Sequence, residues 1–354
     1  MKSNAIVIAG YYGFGNAGDE LILKSMIDQY RSQDPQCLLT VLSNDPVQTR
    51  HHFTVDAVSR WQPWAWLGPL LRARRFILGG GGLLQESSGP WNHAYYLFLL
   101  FVAKLLGCRT EARAIGVDPI DYPFNCWWTR FILDSAVDTI SVRDADSQRA
   151  LESTGIRHPI LRSADPVFQL SVTPSESVNP RIGFAVAPWN QRTGWDHDLA
   201  FLADRLIDHL GVSIDFLVFF PMQDEELARA VAVHATHSVG VRTWQQPEEI
   251  LTWMGEYQLI VGMRYHALVM AALAGKAFIG WGFQKKVRTL CQEFSQPIWT
   301  LERGWESDSV FRQVADAWRH REVLPHRYSA KLPQYKSAMP AAVDVAYIHP
   351  AIKV

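Results

Sequence analysis

Ala5-Ile6-Val7-Ile8-Ala9-Gly10-Tyr11-Tyr12-Gly13-Phe14-Gly15-Asn16-Ala17-Gly18-Asp19-Glu20 is the stretch on which the fold turns. Five apolar residues without a polar break read as a strand buried on both faces. The glycines read as a tight turn, and the segment from about 19 to 30 as a helix. A buried strand handed to a helix in this way is the opening unit of a parallel sheet with helices on both faces. The same alternation continues at 38–42, 75–78 and 139–142. It starts again at 182–187 and runs through 214–219, 259–261 and 277–280.

Residues 173–180, Thr-Pro-Ser-Glu-Ser-Val-Asn-Pro, interrupt the pattern with turn and linker chemistry. The reading is therefore α/β: two Rossmann-like doubly wound domains facing a cleft, a GT-B-like plan. The first domain is expected over 1–172, the linker over 173–180, the second domain over 181–325 and a tail over 326–354 that packs back across the first domain. Ligands of such sheets bind at the carboxyl ends of the strands, so the cleft is where chemistry is expected.

Charge is balanced, 34 Lys+Arg against 35 Asp+Glu, which gives no general affinity for nucleic acid. Cys37, Cys108, Cys126 and Cys291 lack the spacing of a zinc site or a disulfide framework, and no signal-peptide pattern precedes the first strand. A cytoplasmic protein without a metal is the expectation. The apolar run from Tyr95 to Leu106 contains Lys104, is too short to span a bilayer, and reads as a buried helix. Trp61, Trp64 and Trp66, with Leu67 and Leu70, suit either a loop packed on the core or a lipid headgroup boundary.

Gly13-x-Gly15-x-x-Gly18 fits the dinucleotide pattern, and Asp45 could serve as its ribose-binding acid. Against that, Tyr11 and Tyr12 separate strand from glycine, and Asp19 and Glu20 would repel a pyrophosphate at the helix start. The alternative is that Gly13, Gly15, Asn16 and Asp19 meet sugar hydroxyls, with Asp19 as a plain helix cap the structural reading. Gly79-Gly80-Gly81-Gly82 is expected to face ligand, Gly80 and Gly81 foremost, because four glycines are entropically expensive without such a use.

The strongest chemistry lies at Gly262-Met263-Arg264-Tyr265-His266. A strand end here puts a guanidinium and an imidazole beside a helix N-terminus, and Lys285 and Lys286 follow the next strand. These groups suit a small, highly charged anion. Their structural readings are ion pairing of Arg143 with Asp144 or Asp146, backbone satisfaction of His266, and solvated surface lysines. His51, His52 and His93 receive no role.

The segments at Gly10 to Glu20, Leu78-Gly79-Gly80-Gly81, Ser141-Val142-Arg143-Asp144, Asp165-Pro166-Val167-Phe168 and Gly262 to Ala267, taken in order, resemble the polysaccharide pyruvyltransferase family, bacterial cell-wall enzymes above all. The resemblance implies transfer of a pyruvyl unit from phosphoenolpyruvate, a co-substrate, to a sugar, forming a ketal and phosphate with no metal or cofactor. The family's motifs match Arg143, Arg264, His266 and Lys286, and the chemistry of that donor then suggests Arg143 and Arg264 for its carboxylate and phosphate in either order, Lys286 for the phosphate with Lys285 in reserve, and His266 as acid and base, Arg143 and His266 being the catalytic groups. The resemblance also implies an acceptor that is a glycan or a lipid-linked sugar of the N-acetylmannosamine type, and the Trp61 to Trp66 cluster would fit peripheral contact at the inner face of the plasma membrane. This chain departs from the family in having Ala187 before Pro188-Trp189, where an Arg is frequent and Arg192 is the available substitute. Ala114 stands in place of a glycine, and Lys285 in place of a proline.

Two rival readings remain at this point. A nucleotide-sugar glycosyltransferase would need an acid for the ribose, which Glu248 or Glu249 could supply. A non-catalytic wall-binding module is disfavoured by the clustered Arg, His and Lys.

Overall fold

The computed structural model describes residues 4–86, 90–172, 179–282, 284–300 and 304–338. Seven strands make the first sheet: β1 (Ala5–Ala9), β2 (Leu38–Ser43), β3 (Asp56–Ser59), β4 (Arg75–Leu84), β5 (Arg109–Val117), β6 (Thr139–Val142) and β7 (Ile160–Arg162). Their order is 3-2-1-4-5-6-7 and every pairing is parallel. Six more make the second: β8 (Arg181–Ala185), β9 (Ser213–Val218), β10 (Gly240–Thr243), β11 (Leu259–Gly262), β12 (Ala277–Trp281) and β13 (Ile298–Trp299), in the order 10-9-8-11-12-13. Both sheets reverse their winding beside their first strand. The crevice at such a switch point lies outside the carboxyl ends, so the loops after β1 and β4, and after β8 and β11, form the cleft.

The first sheet is covered by α1 (Ala17–Gln33), α2 (Pro46–Phe53), α3 (Pro63–Arg72), α4 (Pro90–Leu105), α5 (Pro123–Ser135) and α6 (Ala145–Ser153). The second carries α7 (Trp195–Leu210), α8 (Pro221–His234), α9 (Glu249–Trp253), α10 (Tyr265–Leu273), α11 (Lys285–Glu293) and α12 (Ser307–Arg319). Two short helices, α13 (His326–Ser329) and α14 (Leu332–Ser337), close the described chain. One apolar core runs through both units: Ile22 and Met26 of α1, Phe168 of the 3-10 turn Pro166–Gln169, and Leu268 and Met270 of α10 are all buried in it. Burying apolar surface across that junction fixes the cleft walls against each other.

Several expectations shift. The first helix begins at Ala17, capped by Asn16. The glycine quartet is not a loop, because β4 runs on through it to Leu84. Gly80 and Gly81 have φ of 58° and 78°, which only glycine adopts without strain. Side chains of α1 lie where their Cβ atoms would be: Met26 against Gly79, Ile22 against Gly80, and Asp19 Oδ1 at 2.6 Å from the Gly81 position. These glycines thus bring α1 onto the sheet, a packing reason for Gly80 and Gly81 that stands without the expected ligand contact.

Strand β5 is missing from the sequence reading because it carries charge inside. Glu111 pairs with Arg75 at 2.6 Å, and Arg113 donates to the Tyr30 hydroxyl at 3.0 Å. The apolar run at 95–106 lies in α4, as expected, but Trp61, Trp64 and Leu67 are exposed while Trp66 and Leu70 are buried. The expected linker lies outside the described residues except for Asn179 and Pro180, as does the tail beyond 338. The tail's described part does cross to the first unit: the Tyr335 ring lies 4.9 Å from Phe168, and Gln169 donates to the Lys336 carbonyl.

Candidate functional site

Arg143 follows β6 and is buried, its guanidinium lying flat on the strand β5 at Gly116, where any Cβ would stand 2.8 Å from its Cζ. It pairs with Asp144 at 3.3 Å and Asp165 at 3.5 Å, and sits 4.9 Å over the Tyr265 ring. Burial works against its charge, yet Tyr265, Asp165 and Asp144 hold the guanidinium above its ordinary range. The expected pairing with Asp146 is absent. Asp146 instead takes Lys285 at 2.8 Å, with Arg149 and the Thr289 hydroxyl. Lys285 is therefore an exposed interdomain tie at the rim.

Lys286 is the contrasting neighbour. It lines the same narrow, solvent-open hollow as Arg143, Asp118 and Tyr265. No carboxylate among the described residues lies within ion-pair distance of its ammonium. Burial and then the like charge of Arg143 lower its pKa to about 8, against the pull of Asp19 and Asp118. An ammonium without an ion-pair partner, beside a guanidinium, suits an anionic ligand.

Arg264 lies next door rather than in that hollow. Its side chain pairs with buried Asp224 and donates to Gln223, and it opens on a wider hollow with Ala187, Asn190 and Trp281. Lys286 feels its charge. Ala187 thus leaves room in the Arg264 hollow. Arg192 does not fill it, being paired with Asp198 at 2.6 Å on another rim.

His266, in the first turn of α10, stands with Nε2 3.4 Å from Asp165 Oδ2. Asp165 caps the turn after β7, accepting from the Val167 N–H. Burial would raise its carboxyl, but His266 and then Arg143 outweigh burial and hold it below the carboxylate range. The other edge of the imidazole abuts Gly18, where a Cβ would overlap Nδ1. The third glycine of the Gly13-x-Gly15-x-x-Gly18 pattern therefore makes room for a histidine from the other unit.

The first part of that pattern is also not a pyrophosphate cradle. The Gly13 N–H donates to Glu20 Oε1 at 2.8 Å, and Phe14 and Gly15 amides also act on this buried carboxyl, whose pKa burial still drives up to about 8. Asp45 caps α2. Neither feature of dinucleotide binding survives. Gly15 alone has open space before it. Asn16 caps α1 and donates to Asp19 at 2.7 Å. Asp19 is buried, and burial lifts its carboxyl to about 6 against the pull of His266, Lys286 and Arg143.

Two features escaped the sequence reading. Asp165 was visible in the Asp165-Pro166 motif but had no stated role. An aromatic wall beside the loop was visible only in parts, as Trp61 and the start of the run at Tyr95, and not as one feature: Tyr11 stacks on Phe14 at 4.0 Å, and buried Arg60 lies 4.7–5.2 Å from the rings of Phe14, Trp61, Tyr95 and Tyr96. Glu248 and Glu249 are elsewhere. Glu249 accepts from the Gln245 and Gln246 amides, and Glu248 lines a separate hollow with Lys24. Among the described residues the one group with metal-ligand spacing is Asp196, His197 and His234, outside the Arg143 hollow.

The sequence profile of the polysaccharide pyruvyl transferase family matches residues 16–281, about three quarters of the chain. None of the curated proteins matches significantly. Among solved structures, HepE from Anabaena in complex with UDP and glucose is 12% identical, with 94% of this chain and 95% of that chain covered at a TM-score of 0.60. MnaA from S. aureus with UDP is 10% identical, with 96% and 92% covered at a TM-score of 0.63. UDP-GlcNAc 2-epimerase from Neisseria meningitidis bound to UDP-GlcNAc is 10% identical, with 94% and 96% covered at 0.59. At these identities the likeness is one of fold, the two-domain GT-B arrangement.

Proposed function

The chain belongs to the polysaccharide pyruvyl transferase family, and from that premise we infer that it transfers pyruvyl from phosphoenolpyruvate to a sugar of a cell-wall or envelope polysaccharide precursor. The observation that carries the choice of donor is the ammonium of Lys286, without an ion-pair partner beside the guanidinium of Arg143. Phosphoenolpyruvate bears a carboxylate and a phosphate on three carbons, and the hollow offers Lys286 as a point charge for one and, for the other, the edge of the Arg143 guanidinium that Asp144 at Nε and Asp165 at Nη1 leave over. Arg264, at the adjoining hollow, supplies further positive field.

The chemistry is assigned to His266 and Asp19, which lie beside the hollow rather than in its lining and are coupled to it through the pull between Asp19 and Lys286. His266, its Nε2 buried 3.4 Å from Asp165 and its Nδ1 edge against Gly18, has to turn one ring nitrogen toward the methylene carbon to protonate it, and positive character then develops at C2. A sugar hydroxyl attacks C2 while Asp19, an ionised base at neutral pH, accepts its proton. A second hydroxyl of the same sugar then displaces phosphate, its proton leaving with the phosphate, and the ketal ring closes. Arg143 and Lys286 carry the charge of the departing phosphate, so the reaction is proposed to need no metal or cofactor. The loop at Gly15 and Asn16, with the Tyr11 and Phe14 rings, would receive the acceptor, since sugar faces stack on aromatic planes. The acceptor is proposed as a lipid-linked N-acetylmannosamine-type precursor, met at the inner face of the plasma membrane.

The test is incubation of the purified chain with phosphoenolpyruvate and N-acetylmannosamine-containing glycans, free and lipid-linked. Phosphate release that depends on acceptor, with a pyruvyl mass increment on the glycan, is the expected result. Absence of both, or glycosyl transfer from a UDP-sugar instead, rejects the reading.

A further inference from the structure

The layer formed by α3, α4 and α5 over one face of the first sheet is apolar on both sides. Inward, Trp66, Leu70, Tyr96, Leu100 and Ile132 share one core. Outward, α3 exposes Trp64, Leu67 and Leu71, and α5 exposes Phe124, Trp127 and Phe131, each set at i, i+3, i+7. Helix α4 exposes Trp91, Phe98 and Leu105 at seven-residue spacing, with Trp64 75% and Trp91 84% exposed. Counting Trp61 and Tyr122 just before α3 and α5, eleven of the eighteen large hydrophobic side chains exposed among the described residues belong to this layer. A soluble surface seldom concentrates them so.

We propose that the outer surface of α3, α4 and α5 docks on an anionic lipid bilayer, lying in the headgroup boundary without crossing it. Three observations favour a bilayer over another occupant. First, five of the eleven are Trp or Tyr, whose amphipathic rings prefer the headgroup boundary, and the rest are Leu and Phe, which suit the acyl side of it. Second, the only Lys, Arg, Asp or Glu side chains on the three helices are Arg72, Lys104, Arg130 and Asp134, with Lys104 paired to Asp138 at 2.5 Å and Arg130 to Asp134 at 4.0 Å, so the face carries no net negative charge to repel anionic headgroups. Third, the surface runs into the site. Trp61 Nε1 donates to Asn44 Oδ1 at 2.8 Å, and Asn44 in turn donates to the Gly13 carbonyl at 3.3 Å, in the loop assigned to the acceptor. Among the described residues no helix is long and apolar enough to cross a membrane, which fits docking.

The inference rests on the reading above for its purpose, since a lipid-carried acceptor is what such a surface would present to the cleft. Its test needs no turnover. The full chain is sedimented with vesicles of phosphatidylcholine mixed with phosphatidylglycerol, and with phosphatidylcholine alone. The chain should partition to the anionic vesicles, less so at high salt, and the Trp64→Gln/Trp91→Gln/Trp127→Gln variant should bind roughly tenfold more weakly or worse with an unchanged melting temperature. Failure of the parent chain to sediment, equal binding by the variant, or a dimer that the variant dissolves would each overturn the proposal. A chain that binds vesicles yet releases no phosphate from phosphoenolpyruvate would leave this surface standing and remove the proposed reaction.

Discussion

His266 Nε2 and Asp165 Oδ2 lie 3.4 Å apart, although one belongs to the second sheet's α10 and the other follows the last strand of the first sheet. The proposed acid is therefore built only when the two units are docked. Replacing His266 with Ala should lower kcat by roughly a hundredfold or more, the usual worth of a positioned acid, while phosphoenolpyruvate binding stays measurable. Asp165→Asn should lose kcat more than KM, because Asp165 positions the imidazole. Steady-state kinetics with calorimetric binding decides, and a normal rate in His266→Ala would dismiss the role.

The Lys286 ammonium, lowered to about 8, gives a pH dependence whose sign is fixed. The proton must be on for the anion to be held, so kcat/KM for phosphoenolpyruvate should fall as pH rises through about 8. On the acid side, Asp19 at about 6 loses its base function as pH drops below that value. Lys286→Met should weaken phosphoenolpyruvate binding by roughly tenfold or more, as loss of a charged hydrogen-bond partner does, and abolish the alkaline limb. A variant that keeps the limb would show that another group titrates there.

The parallel α/β architecture was legible because apolar runs of strand length alternate with helices, and the pairing of the two sheets follows that alternation closely. What misled was context at single positions. Gly80 and Gly81 look like ligand-facing backbone, yet the same lack of a Cβ admits Ile22 and Asp19. Strand β5 hides Glu111 and Arg113 in ion pairs and hydrogen bonds, so periodicity misses it. Arg143, His266 and Lys286 could be named from sequence, whereas the separation of Arg264 into the next hollow depends on Asp224, whose partner no pattern reveals.

That pair makes its own prediction. Asp224 is buried; burial raises its carboxyl and Arg264 holds it down. Arg264→Ala would strand the carboxylate and should cost about 3 kcal/mol of stability. Adding Asp224→Asn should restore much of that, while phosphoenolpyruvate affinity stays reduced in both variants. Denaturant unfolding and ligand binding measured on the same two proteins separate the structural from the electrostatic part. Full affinity in the double variant would remove Arg264 from the donor field.

Ala114 occupies left-handed backbone at φ 50° inside the buried β5, where the register to β6 shifts. An L-residue pays about 1–2 kcal/mol in that region, and glycine costs about 0.5–1 kcal/mol in lost chain entropy on folding. Ala114→Gly should therefore stabilise the chain by about 0.5–1 kcal/mol, with turnover unchanged. Thermal unfolding checks it, and a destabilised variant would mean the alanine methyl contributes packing that outweighs the backbone cost.

Gly18 offers the sharpest test of how the first helix serves the chemistry. Its backbone lies against the His266 ring, and a methyl there would overlap Nδ1. Were the glycine pattern a nucleotide cradle, Gly18→Ala would act on nucleotide binding. In the arrangement seen, it must push the imidazole away from Asp165 or pry α1 from α10, since the Ala17 N–H also bonds the Phe219 carbonyl of the second unit at 2.9 Å. The expected outcome is a fall in kcat of roughly tenfold to a hundredfold, consistent with misplacing an acid by about 1 Å, with phosphoenolpyruvate binding largely retained because Arg143 and Lys286 are untouched. Gly18→Ala combined with His266→Ala should then be no slower than His266→Ala alone. If the two losses instead multiply, Gly18 acts on something other than the histidine it faces.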